Sequence, residues 1–165
     1  MRLSLLLIAL TLAAGAHAQL PAQDPDWREA DAPPAPPLRS QDLIALEIPG
    51  SALRFGVDPS SISVGGDGVV RYVVVATSQS GVVNAVYEGI RCGSGDFKVY
   101  ARHHPDSGWK PVKQADWRSL FESPVPRHTL QVARGGACAG RTANTSAAQI
   151  GRDLRTPLEM RYHRQ

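Results

Sequence analysis

Three groups of side chains in this sequence have the types and spacing for chemistry. The first is His103-His104-x-Asp106, which places three metal-ligating side chains within four residues. Adjacent histidines in a hairpin loop bounded by Pro105 and Gly108 rarely converge on one ion, so the spacing predicts a solvated loop and no bound metal. The second group is Cys92 and Cys138, the two cysteines of the chain. In an oxidising compartment an even pair is most simply one disulfide, whereas redox motifs usually set their cysteines as C-x-x-C. The third group is Tyr72, Tyr87 and Tyr100 with Arg91, Lys98 and Arg102, an aromatic platform with cations around it. Aromatic faces stack on sugar or base rings, and the cations would hold anionic groups.

Other chemistries lack a signature. No serine sits in a G-x-S-x-G elbow, and no P-loop is present. Gly93-x-Gly95 lacks the third glycine and the helix that would make it a dinucleotide fingerprint. Asn144-Thr145-Ser146 fits a glycosylation sequon, read here as chance. No cofactor is expected. The chain is therefore read as a non-catalytic binding or structural module, with an enzyme whose site assembles only in three dimensions as the alternative.

The elements that must position these groups are short. The sequence opens MRLSLLLIALTLAAGAHAQ, with Arg2 before an apolar core and Ala16-His17-Ala18 as a small-x-small cleavage site. That is a secretory signal peptide over residues 1–18. It predicts an exported protein, periplasmic with secretion as the alternative, and nothing later is long enough to span a membrane. Residues 19–41 contain six prolines, Pro21, Pro25, Pro33, Pro34, Pro36 and Pro37. Proline fixes φ and removes a ladder donor, so this stretch reads as an extended proline-rich tether with Trp27 as its only aromatic residue. Residues 42–165 are one domain.

Within that domain, 69–77, 82–92 and 97–102 read as consecutive strands separated by Ser78–Gly81 and Gly93–Asp96, with 109–112 returning after the histidine loop. Further strands are expected at 53–57 and 62–64, a helical or 3₁₀ turn at 116–121, and a strand at 128–132. Ser146 with Gln149 forms a capping box for a helix near 146–155. The fold class is α+β: an antiparallel β-meander sheet with a short C-terminal helix packed on it and one disulfide.

With four-residue loops at both turns, Thr77 pairs with Val82, and Arg71 stands opposite Glu88 as an ion pair within an apolar face. The tyrosines and their flanking cations then share the other face. Charge adds a second surface, since residues 127–165 hold seven arginines against Asp153 and Glu159. Such a basic part can lean on anionic polymers. In an exported protein the expected partners are an anionic envelope polymer or an outer-membrane protein, not nucleic acid.

Several segments together carry a resemblance: Val57-Asp58-Pro59-Ser60-Ser61-Ile62-Ser63-Val64, Asp67-Gly68-Val69-Val70-Arg71-Tyr72, Tyr87-Glu88-Gly89-Ile90-Arg91-Cys92, Lys98-Val99-Tyr100-Ala101, and Trp109 with Trp117. Over roughly residues 43–154 the chain resembles the cryptic neisserial protein-like family of exported proteobacterial proteins. The resemblance implies an envelope location and, through the later cysteine, supports the Cys92–Cys138 bridge. It brings no catalytic residues.

Overall fold

The structure, a computed structural model, describes residues 24–156. The leader expected at residues 1–18 lies outside them. Val69–Thr77 (β4), the most β-branched stretch of the chain, forms the central strand, and all but its last two residues are buried. It is joined in an antiparallel meander to β5 (Val83–Arg91), β6 (Asp96–His104) and β7 (Gly108–Pro111). On its other side lie β2 (Arg54–Val57) and then β1 (Ile44–Leu46), giving the order β1-β2-β4-β5-β6-β7. The short β3 (Ser63–Val64) pairs antiparallel with the start of β4, and β8 (Arg118–Ser119) with the start of β6.

The α+β meander is as expected, but its register is not. Thr77 pairs with Val83, so the connecting loop holds five residues. Ser78 organises it: its Oγ accepts from the Val82 N–H at 3.0 Å, and Gly81 takes the positive φ of 84°. Arg71 therefore stands opposite Gly89, and Tyr72 opposite Glu88. Because side chains alternate along a strand, this one-residue slip turns every β4 side chain to the other face. Arg71 and Glu88 point to opposite faces, and the ion pair expected between them does not form.

A second device reassigns β6. Glu88 pairs with Val99 and Tyr87 with Ala101, so Tyr100 is an extra residue in a bulge. Before it, Lys98 shares a face with Gly89. After it, Arg102 pairs with Val86 and moves to the face opposite Tyr87. Tyr100 can bend over Gly89 only because that residue has no side chain. A Cβ there would come within 2.7 Å of the tyrosine hydroxyl.

Both faces of the sheet are covered. On the first, Val70, Tyr72, Val74, Ile90 and Phe97 meet Val132, Ala133, Ala137 and Ile150. These come from α1 (Arg127–Val132), the π-helical turn Ala133–Ala137 and α2 (Ala147–Arg155). The helix α2 starts as its capping box predicts, with Ser146 Oγ accepting from the Gln149 N–H at 3.1 Å. Two local readings are corrected here. Residues 128–132 are helical, since burial of Thr129 and Val132 follows an i, i+3 spacing and not strand alternation. Residues 118–119 form β8 and not a helical turn, because they add to the edge of β6. Cys92 and Cys138 form the expected disulfide, with Cα atoms 5.6 Å apart. Cys138 opens the hairpin of β9 (Cys138–Ala139) and β10 (Thr142–Ala143).

The second face is covered by the proline-rich segment. After a turn at Asp24–Trp27 the segment forms no helix or strand up to residue 40, but it lies across the sheet and does not stand away from it. Ala35 and Leu38 pack against Val73, Val75, Tyr87 and Ala101. None of the described residues in this strap joins a strand.

Candidate functional site

The expected tyrosine–cation face splits in two. Tyr87, Tyr100, Arg91 and Lys98 share the face beneath the strap, joined there by Arg71. The Tyr87 and Tyr100 rings lie 5.2 Å apart. Tyr72 faces the helices, and Arg102 is carried to the same side by the bulge.

The platform is occupied by the chain itself. Trp27 lies under the Arg91 guanidinium, 3.7 Å from ring centre to Cζ, and meets Trp117 edge-on at 5.8 Å. Its indole N–H donates to Asp67 O at 2.8 Å. Two residues on, Glu29 accepts from Lys98 Nζ (2.8 Å), Tyr100 Oη (2.7 Å) and Trp117 Nε1 (3.1 Å). The aromatic and anion-holding chemistry read from the sequence is present, and Trp27 and Glu29 satisfy it.

Arg71, 3% exposed, anchors this layer. Asp67 grips it with both oxygens, at 3.2 Å and 2.7 Å, and also accepts from the Ala30 N–H at 3.0 Å. Arg71 donates in turn to Ala30 O at 3.3 Å, and Glu29 lies 3.8 Å from it. Burial alone would raise the Glu29 carboxyl, but its bonds from Lys98, Tyr100 and Trp117 outweigh that and hold it below the ordinary range. Asp67 behaves likewise, with burial opposed by Arg71 and by the Val69 and Ala30 amides. Burial and the Glu29 bond push the Tyr100 hydroxyl up.

These shifts set a pH dependence. A carboxyl with a depressed folded pKa stabilises the protein fully above its unfolded value and loses that contribution as pH falls through the folded one. The unfolded value is 4.5 for Glu29 and 3.8 for Asp67. The strap is expected to stay docked at neutral pH and to loosen in acid below about pH 4. Trp27 fluorescence and Tm should change together there, and Glu29→Gln should already be loosened at pH 7. An unchanged acid profile in Glu29→Gln would contradict the assignment.

The other face holds a second buried acid. Glu88, 1% exposed, accepts from Tyr72 Oη and Thr129 Oγ1, both at 3.0 Å to Oε2, and its Oε1 lies 3.0 Å from His128 Nε2. Burial, then the Glu88 charge, raise the Tyr72 hydroxyl well above the ordinary tyrosine value. His128 stacks on Phe55 at 5.4 Å.

His128 and Phe55 form one wall of an open cleft of about 280 Å³. Val74, Ala76 and Val86 make its floor, and Asn84, Arg102 and His104 stand at its rim. None of the residues that line it is acidic, and none is Ser, Thr or Cys. The cleft suits an anionic group with an apolar body: the floor takes the body, and the Arg102 guanidinium gives a forked donor for carboxylate or phosphate. Of its residues the sequence points to Arg102, and to the neighbouring His103 and His104 as a rejected metal cluster. It gives no sign of His128, which comes from α1, far along the chain from Arg102 on β6, with no motif to join them.

His103 is packed edge-on against Trp109, away from His104, and among the described residues no group of three or more His, Cys, Asp or Glu could hold a metal. No described helix is long and apolar enough to cross a membrane.

The model of one protein family, the CNP1-like family, matches residues 22–155, a span that includes the strap, the sheet and α2. No curated protein matches the chain, and neither does any solved structure.

Proposed function

The chain belongs to the CNP1-like family, and from that premise we propose that it is an exported cell-envelope protein that binds and does not catalyse. Its ligand is an anionic envelope polymer, held in the cleft between His128 and Arg102. One observation carries the reading: an apolar floor of Val74, Ala76 and Val86 is rimmed by Arg102 and His104, with no carboxylate among the lining residues. A cation at such a rim attracts anions and is screened by salt. The leader-like start of the sequence supports export, with the periplasm as the destination.

Sedimentation with purified peptidoglycan tests the binding, with inorganic phosphate as competitor. Binding that falls with salt and weakens about tenfold in Arg102→Ala/His104→Ala, a change of about 1.4 kcal/mol, is the expected result. Equal sedimentation of the variant and the wild type would remove the cleft from the reading. Export is checked separately by osmotic-shock fractionation and by the mass of the mature chain, expected to begin at Gln19.

One observation favours an enzyme instead. Glu88 orients His128 at the cleft wall, as a carboxylate orients a general base. Turnover of a peptidoglycan fragment that His128→Gln abolishes would establish that alternative.

A further inference from the structure

We propose that residues 24–38 are a ligand held in cis, and that the sheet face beneath them is a docking site for an extended peptide segment of a partner protein, with an aromatic side chain two residues ahead of a carboxylate. The occupant seen there has that pattern, Trp27-x-Glu29. Each of its two anchors enters a receptor built by the folded domain. Arg91 and Trp117 clamp the indole. Lys98, Tyr100 and Trp117 surround the carboxylate with three donors.

The way the strap is held separates it from an ordinary sheet element. It adds no strand to the ladder, so its main chain is gripped at few points. Ala30 is bound on both sides by Asp67 and Arg71, and Pro36 O accepts from Trp109 Nε1 at 2.9 Å. Recognition therefore rests on side chains, and any chain carrying the same two groups at the same spacing meets the same partners. The strap also leaves its site incompletely filled. A crevice of about 320 Å³ stays open beside Glu29, Lys98 and Tyr100, bounded by Val112 and Ala115.

Beyond Leu38 the chain runs through four exposed residues, 39–42, before β1 begins. Asp42 there has a φ of 56°, in the left-handed region that a non-glycine residue enters at some cost. This connection lies outside the strand ladder, so a strap that swings about it breaks no strand pairing. Charge also fits the partner. With the strap removed, Lys98 and Arg91 lose Glu29 and Trp27 and stand beside the rings of Tyr100 and Trp117, while the Arg71 charge stays matched by Asp67. Such a surface selects a carboxylate and an aromatic ring together.

The test uses the full chain with a specific protease site placed in residues 39–42, so that cutting turns the strap into a free peptide. A labelled synthetic peptide with the sequence of residues 24–38 is then added in excess and followed by anisotropy. The cut protein is expected to keep its near-UV circular dichroism and to bind the peptide saturably in exchange for its own strap. The uncut protein should bind it at least tenfold more weakly, since a short linker holds the cis strap at millimolar effective concentration. A peptide carrying Glu29→Gln should lose at least tenfold, as should the natural peptide on a Lys98→Ala/Tyr100→Phe domain. Arg102→Ala, on the opposite face, should change nothing, which keeps this site distinct from the cleft. Loss of near-UV signal on cutting, no exchange, or equal binding of the Glu29→Gln peptide would each overturn the proposal.

Discussion

Replacing Glu88 with alanine is expected to cost about 2–5 kcal/mol of folding stability, the sum of the bonds lost by the buried groups that surround it. The side chain is 1% exposed, and both of its oxygens are engaged. Alanine strands the Tyr72 hydroxyl and the Thr129 hydroxyl in the core, each at about 1–3 kcal/mol. It also removes the contact that sets the His128 ring against Phe55. Glu88→Gln keeps the volume and an oxygen that can accept from Tyr72 and Thr129, but it loses the charge and puts an amide NH2 toward His128, so it should fall between wild type and Ala. Urea denaturation reads the series. Tyr72→Phe alone should cost less, and the Tyr72→Phe/Glu88→Ala pair should cost less than its sum, because the two changes remove one shared bond. An Ala variant within about 0.5 kcal/mol of wild type, the range of an ordinary surface change, would mean that the buried acid is not needed by the fold.

The same acid shows which parts of the molecule were legible in its sequence. The strand spans around Val69–Thr77 were readable, since β-branched runs closed by Gly-rich turns have a local cause. The pairing between them was not. Val69–Thr77 is apolar on both faces, so the period of two carries no information about which side is which. The choice falls to the loop, where one extra residue, Val82, is accommodated by the Ser78 side chain. From that slip follow the true partners of both charges. Arg71 finds Asp67, four residues back, and Glu88 finds Thr129 and His128, some 40 residues ahead.

The platform was half legible. Its ring and cation types could be named from alternation, and Tyr87, Tyr100, Arg91 and Lys98 do share a face. Its occupant could not, because Trp27 and Glu29 sit in a proline-rich stretch whose composition fixes an extended conformation but no destination. Arg102 left the predicted face because the Tyr100 bulge has no glycine or proline of its own to announce it. The cleft as a site was not legible, although Arg102 and the His103-His104 pair had each been singled out for other reasons. Its lining comes from β2, β4, β5, β6 and α1, and only the folded sheet brings Phe55, Arg102 and His128 together.

The second large effect concerns the bridge between Cys92 and Cys138, whose removal is expected to destabilise the protein by about 4 kcal/mol. The crosslink spans 46 positions and encloses β6, β7, β8 and α1. Freeing a loop of that length gives the unfolded chain the corresponding conformational entropy, with an expected range of about 2–5 kcal/mol for native bridges. The bridge is also the covalent tie between β5 and the C-terminal part. Without it, that part is held by Arg141 donating to Gly93 O at 3.0 Å and by the burial of Ile150 and Val132 on the sheet. Local opening should therefore concentrate there. In Cys92→Ala/Cys138→Ala, amide exchange across 138–155 should accelerate more than exchange in Val69–Thr77, and the urea m-value should rise as the unfolded chain expands. Reduction of the wild type should reproduce both changes. A double variant that loses less than about 1 kcal/mol, well under the range for native bridges, or that exchanges uniformly, would show that the helices hold the sheet face without the covalent tie.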